Sequence, residues 1–179
     1  KYRNKYFIPP DEILSQVSYY SYPAEEICYV AWSGGPHSTA LLCYLLIVLG
    51  RPVQPIAIMP APITRLKQVR STLIANYPHM QSRLLPTWYV TSIDKCRSVT
   101  AKIKPLTLDT AQAMVWDAVA RFAKTCVDLA PIMVGSVSPS PFLTTPDIEN
   151  ITAPFGHMTH DEVKHLALDS KHSFWHIAT

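Results

Sequence analysis

Glycine is scarce in this chain, with 5 residues among 179, while proline is abundant at 16. Pro52, Pro55, Pro60, Pro62, Pro86 and Pro105 fall between periodic segments, where proline punctuates elements and stiffens loops. Charge is sparse as well. Only 16% of residues are Asp, Glu, Lys or Arg, and the net charge of +3 is too small and too dispersed for a dedicated nucleic-acid surface. No apolar run reaches the roughly 18 residues that span a bilayer, and Lys1 opens a polar, aromatic segment rather than a signal peptide. A soluble, intracellular (cytoplasmic) protein with no membrane partner is therefore expected. The cysteines Cys28, Cys43, Cys96 and Cys126 show no C-x-x-C spacing, so buried free thiols in a reducing compartment are expected ahead of a metal site or disulfides. A G-x-S-x-G elbow, a Walker lysine and an H-E-x-x-H pair are all missing, and with them the chemistries those spacings support. Internal repeats and low-complexity tracts are missing too.

What is present is a hydrophobic fraction of 48%, enough for one sizeable core. The organisation expected is an amino-terminal arm over 1–24 and a single domain over 25–179. The arm is basic and aromatic, with Tyr2, Tyr6, Phe7, Tyr19, Tyr20 and Tyr22, and suits contact with a protein partner. Within it, Asp11 to Ser18 could form a short helix. Ile27 to Trp32 is a nearly continuous apolar run, the pattern of a strand buried on both faces of a parallel sheet. Ser38 to Gly50 is apolar nearly all round and predicts a buried helix. Val53 to Met59 is a second strand, Thr64 to Tyr77 a helix with Arg65, Lys67 and Arg70 on its exposed side, and Leu84 to Thr91 a third strand. Thr107 to Ala130 carries the longest helical pattern. Ile132 to Gly135 and Ile151 to Phe155 are further strands, separated by a proline-rich loop that begins at Ser138. Thr159 to Leu168 closes the chain as a helix, with Thr159 and Glu162 as a capping box. Strands alternating with long helices predict an α/β fold: a doubly wound, mainly parallel sheet with helices on both faces.

Such sheets bind ligands at the carboxyl ends of their strands. There stands Ser33-Gly34-Gly35-Pro36-His37-Ser38, between the first core strand and the helix that follows. A strand that passes through glycines into a helix aims backbone N–H groups and a helix N-terminus at one point, which is where a phosphate is held. Gly34 and Gly35 permit close backbone approach, and Ser33 and Ser38 offer hydroxyls. The alternative is that the glycines only enable a tight turn and Ser38 only caps the helix. His37 is either a donor to phosphate or a solvent-facing residue.

The order strand, Ser33-Gly34-Gly35-x-x-Ser38, helix resembles the PP-loop of the N-type ATP pyrophosphatases, whose usual form is S-G-G-x-D-S. The later elements are most similar to the branch that makes the cyano-deazaguanine precursor of queuosine. The resemblance implies the adenine nucleotide alpha hydrolase-like fold, binding of ATP with Mg²⁺ at Ser33, Gly34, Gly35, His37 and Ser38, and adenylation of a substrate with release of pyrophosphate. The chain also departs from that branch. His37 replaces the Asp that organises magnesium; Pro60-Ala61-Pro62-Ile63-Thr64 replaces an aromatic-Gly-Gln-Arg-His stretch; Pro105-Leu106-Thr107-Leu108 replaces Pro-x-Arg-Asn; Thr159-His160 replaces Thr-Lys. The four-cysteine zinc site of that branch has no counterpart, so no zinc is expected. His157, His160, His165, His172 and His176 form a histidine-rich tail, with surface or packing roles expected over chelation. Asp109 and Asp147 fall at the expected ligand-facing end, either as magnesium or substrate contacts or as cap and turn residues. The competing expectation is a catalytically inactive PP-loop fold that serves as a structural or interaction subunit of a larger assembly.

Overall fold

In the computed structural model, residues 6–14, 22–58, 61–90, 131–138, 151–169 and 173–179 are described. The strands are β1 (Tyr6–Phe7), β2 (Cys28–Ala31), β3 (Val53–Ile58), β4 (Trp88–Val90), β5 (Ile132–Met133) and β6 (Ile151–Thr152). They form one sheet in the order β1-β4-β3-β2-β5-β6. Among the described residues every pairing of β2 to β6 is parallel, and β1 runs antiparallel, against β4. The chain therefore moves outward from β2 through β3 to β4, then resumes on the other side of β2 with β5 and β6. This is a mostly parallel α/β sheet.

Side chains alternate between two layers, as the pleat requires. Cys28, Val30, Val53, Ala57 and Tyr89 belong to one apolar cluster, and Tyr29, Ala31, Ile56, Val90, Ile132 and Val134 to the other. Helices α2 (Pro36–Cys43), α3 (Ile63–Asn76), α4 (His160–Asp169) and α5 (Trp175–Ala178) pack in the first cluster through Leu41, Leu66, Val163 and Ile177 among others. A short helix α1 (Pro10–Leu14) follows β1. Residues Ser38 to Cys43 of α2 are all buried, in keeping with a segment apolar nearly all round. Its beginning lies earlier than Ser38, because Pro36 at the first helical position has the φ a helix needs and lacks only an N–H that would be orphaned there. From Tyr44 the helix widens into a π turn through Val48. Gly50, at φ +62°, then ends it, with Arg51 N–H donating back to the Leu45 carbonyl.

Several expectations need correction. Arg70 is not on the exposed side of α3; it is 4% exposed, with Nη1 and Nη2 donating to the Leu85 and Leu84 carbonyls, both at 2.9 Å. Leu84 to Thr91 is not one strand. Pro86 has no N–H to give to a ladder, so Leu84 makes only an isolated bridge to Val53 and β4 begins at Trp88. Part of the arm joins the sheet. Tyr6 pairs with Val90 and Phe7 with Tyr89, and their rings lie 5.0 Å from Trp88 and 5.1 Å from Tyr89. The capping box is formed: Thr159 N–H donates to Glu162 Oε2 at 2.7 Å, and Glu162 N–H to Thr159 Oγ1 at 3.3 Å. The expected helix over Thr107 to Ala130, most of the proline-rich loop after Ser138, and Asp109, Asp147, Cys96, Cys126 and His172 lie outside the described residues. Among the described residues no helix is long and apolar enough to cross a membrane.

Candidate functional site

The turn Ser33 to Ser38 leaves the carboxyl end of β2 beside β5, between the two directions in which the sheet grows. Open α/β sheets receive ligands at such positions, outside the carboxyl ends of strands where the order reverses. Trp32 fixes the approach, its N–H donating to the Ile56 carbonyl at 2.9 Å and its indole Nε1 to Thr39 Oγ1 at 3.0 Å. The strand end is thereby tied to the first turn of α2. Gly34 has φ +81°, and a Cβ there would stand 3.0 Å from Leu66 Cδ2. The position thus needs glycine for both its backbone angle and its space.

The two serines act on the turn itself. Ser38 Oγ accepts the Ser33 N–H at 3.3 Å and lies 3.1 Å from Ser33 Oγ, while Ser33 Oγ accepts the Gly35 N–H at 3.2 Å. Ser38 is not the N-cap of α2. That position is Gly35, which makes no side-chain cap bond. The N–H groups of His37 and Ser38, in the first turn, have no hydrogen-bond partner among the described residues. They are orphan donors at a positive helix end.

Gly135, beyond β5, forms the inner wall. A Cβ on it would stand 2.5 Å from Ser38 N and 2.6 Å from the His37 carbonyl carbon. Only the missing side chain lets these two backbones touch. On the other side, Arg65 Cγ of α3 would lie 3.6 Å from a Gly34 Cβ, and no carboxylate of the described residues forms an ion pair with Arg65.

His37 is half-buried rather than an ordinary solvent-facing side chain. Its Nε2 lies 2.7 Å from His160 Nδ1, at the start of α4, and the His160 ring meets Trp175 edge-on at 5.6 Å between centroids. Burial lowers the His37 imidazole below its ordinary value near 6.5, and the His160 charge acts in the same direction. The proposed residues Ser33, Gly34, Gly35, His37 and Ser38 thus do come together, joined by Arg65, Gly135 and His160. His157 and His165 lie apart, with Asp161 and Glu162 on an open hollow of about 650 Å³. Among the described residues no three His, Cys, Asp or Glu side chains are grouped as a metal ion would need.

A second hollow, of about 340 Å³, is lined by Asp11, Glu12, Lys67 and Arg70. Its charges are taken up by one another, Lys67 with Asp11 at 3.3 Å and Arg70 with Glu12 at 3.6 Å, so it reads as the seam that docks α1 on α3. Cys28 and Cys43 are buried free thiols. Burial raises both, Cys43 to about 12, and a nucleophilic role suits neither. No protein-family model matches the chain, and no curated protein sequence matches it.

Proposed function

We propose that this chain binds a nucleotide by its phosphates at the Ser33 to Ser38 turn, in the manner of a PP-loop protein related to the deazaguanine synthases. The observation that carries the reading is the cradle itself. A parallel strand enters a turn with Gly34 at φ +81°, and the His37 and Ser38 N–H groups at the start of α2 have no hydrogen-bond partner among the described residues. Oriented N–H groups at a helix N-terminus suit a phosphate oxygen. The strand order β1-β4-β3-β2-β5-β6, with apolar layers on both sheet faces, supports a doubly wound sheet of the adenine nucleotide alpha hydrolase type.

The donor set fits phosphate and does not fit magnesium. The turn presents hydroxyls, N–H groups and an imidazole, with no carboxylate, and Mg²⁺ prefers oxygen ligands. His37 in place of the acid, with its Nε2 already held by His160, also supports a second reading: a PP-loop fold that binds nucleotide without adenylating a substrate, as a subunit of a larger assembly. Calorimetric titration with ATP, run alongside a pyrophosphate-release assay, separates the readings. Binding with release supports the adenylating reading, binding without release shows that AMP passes to no acceptor present in the assay and favours the inactive form, and no binding refutes the nucleotide site.

A further inference from the structure

The contact between His37 and His160 joins two segments that begin helices, and it determines what charge the turn can hold. Two imidazoles 2.7 Å apart need one N–H between them and one lone pair. In the neutral pair, whichever ring donates, one of the outer nitrogens (His37 Nδ1 or His160 Nε2) is an N–H and the other is a bare acceptor. A single added proton turns that acceptor into a donor and leaves the bridge intact. A second would put N–H on both facing nitrogens and break the contact. The pair therefore takes up one positive charge, and taking it up makes both outer nitrogens donors.

Resting on the reading of the turn as a phosphate site, we propose that His37 and His160 form a proton-sharing unit that binds the phosphate, taking one proton from solvent as the anion arrives. His160 is then a binding residue and the ligand is a polyanion. Without an anion the charge is disfavoured. The His37 ring is half-buried at the start of α2, and His160 opens α4, so both face positive helix ends. The charged groups around the pair leave it free to respond. Arg65 of α3 stands beside Gly34, Glu162 is committed to the Thr159 N–H, and α5 offers the Trp175 ring. Among the described residues no carboxylate, that of Asp161 included, forms an ion pair with either imidazole.

The test is calorimetric titration of the whole chain with inorganic pyrophosphate at pH 6 and pH 9, for the wild type and for His160→Asn. Asn keeps a polar group near the place of Nδ1 and cannot take the proton. The ionisation of pyrophosphate is common to both proteins and cancels in the ratio of their affinities. The wild type is expected to bind about tenfold more tightly than the variant at pH 6, with the ratio falling towards unity at pH 9, since one linked proton changes affinity by up to about tenfold per pH unit. A ratio that is the same at both pH values overturns the proton-sharing pair while leaving the phosphate site in place. Absence of pyrophosphate binding by the wild type at either pH overturns both. A second measurement needs no variant. At pH 7.5, pyrophosphate should move the imidazole ¹⁵N resonances of His37 and His160 towards the protonated form, and unmoved resonances in the saturated protein overturn the proposal.

Discussion

Replacing Glu12 by Ala should destabilise the fold by about 3 to 5 kcal/mol, the range for removing one partner of a buried ion pair. Glu12 and Arg70 are each 4% exposed, with Arg70 Nη1 at 3.6 Å from Glu12 Oε2, and the same carboxylate oxygen accepts the Thr87 N–H at 2.7 Å. The substitution has two effects. The guanidinium, held to the Leu84 and Leu85 carbonyls, keeps its charge in a buried place without the carboxylate; the Thr87 N–H loses its acceptor, which by itself costs about 1 to 3 kcal/mol. Urea unfolding followed by circular dichroism would read the change as a lower midpoint at constant slope. Heating would read it as a fall of roughly 6 to 20 °C, at about 2 to 4 °C per kcal/mol for a chain of this size.

Two further variants separate the terms. Glu12→Gln keeps an acceptor for Thr87 and loses only the charge, so it should fall between wild type and Glu12→Ala. Asp11→Ala, on the neighbouring residue, removes a pair with Lys67 at 3.3 Å whose side chains are 65% and 40% exposed, and should cost less than about 1 kcal/mol. If Glu12→Ala also changes stability by less than 1 kcal/mol, then α1 is not docked on α3 in solution and the seam described above is wrong.

Gly135→Ala places a Cβ against the backbone of His37 and Ser38, and should cost about 1 to 3 kcal/mol or more while abolishing phosphate binding in a pyrophosphate titration. Acidification should destabilise the protein through His37. Its folded value lies below the ordinary one, so as pH falls through about 6.5 the unfolded chain takes up a proton that the fold resists; thermal melts between pH 7.5 and pH 5 should show a steeper loss for wild type than for His37→Gln. Cys28 and Cys43, buried and with raised thiol values, should resist iodoacetamide at pH 8 in the folded protein and react once urea unfolds it, as peptide mass mapping would show.

The elements legible in the sequence were those whose signal is local. The apolar run into β2, the glycine turn, the all-round apolar α2 and the Thr159 capping box each lie within a few residues, and each is found. Arg70 was misread because periodicity counts any arginine as polar, whereas two carbonyls from the segment after α3 and a carboxylate from α1 make burial tolerable. The pair His37 and His160 was not legible as a pair. Its members are 123 positions apart, and only the packing of α4 and α5 on α2 joins them. Gly135 did carry a signal, as one of only 5 glycines and the last residue of an apolar run, but its reason is a backbone contact that sequence does not display.

If the turn is a PP-loop, as proposed, then His37 in place of an acid alters more than one ligand. An Asp at that place adds negative charge beside a phosphate, which is favourable only with a cation between them. An imidazole paired to a second imidazole supplies a donor instead, and the Arg65 side chain starts beside the same turn, its Cγ 3.6 Å from where a Gly34 Cβ would stand. On the proposed reading, the cradle would hold an anion by N–H groups and side-chain cations alone. Phosphate affinity should accordingly survive EDTA and should not rise when Mg²⁺ is added, since the metal would compete with the same donors for phosphate oxygens. His37→Asp should reverse both properties, weakening binding in EDTA and making it depend on Mg²⁺. If the wild type itself binds pyrophosphate only with Mg²⁺, the imidazoles are not the counter-charge; the metal is, and carboxylates from elsewhere in the chain must hold it.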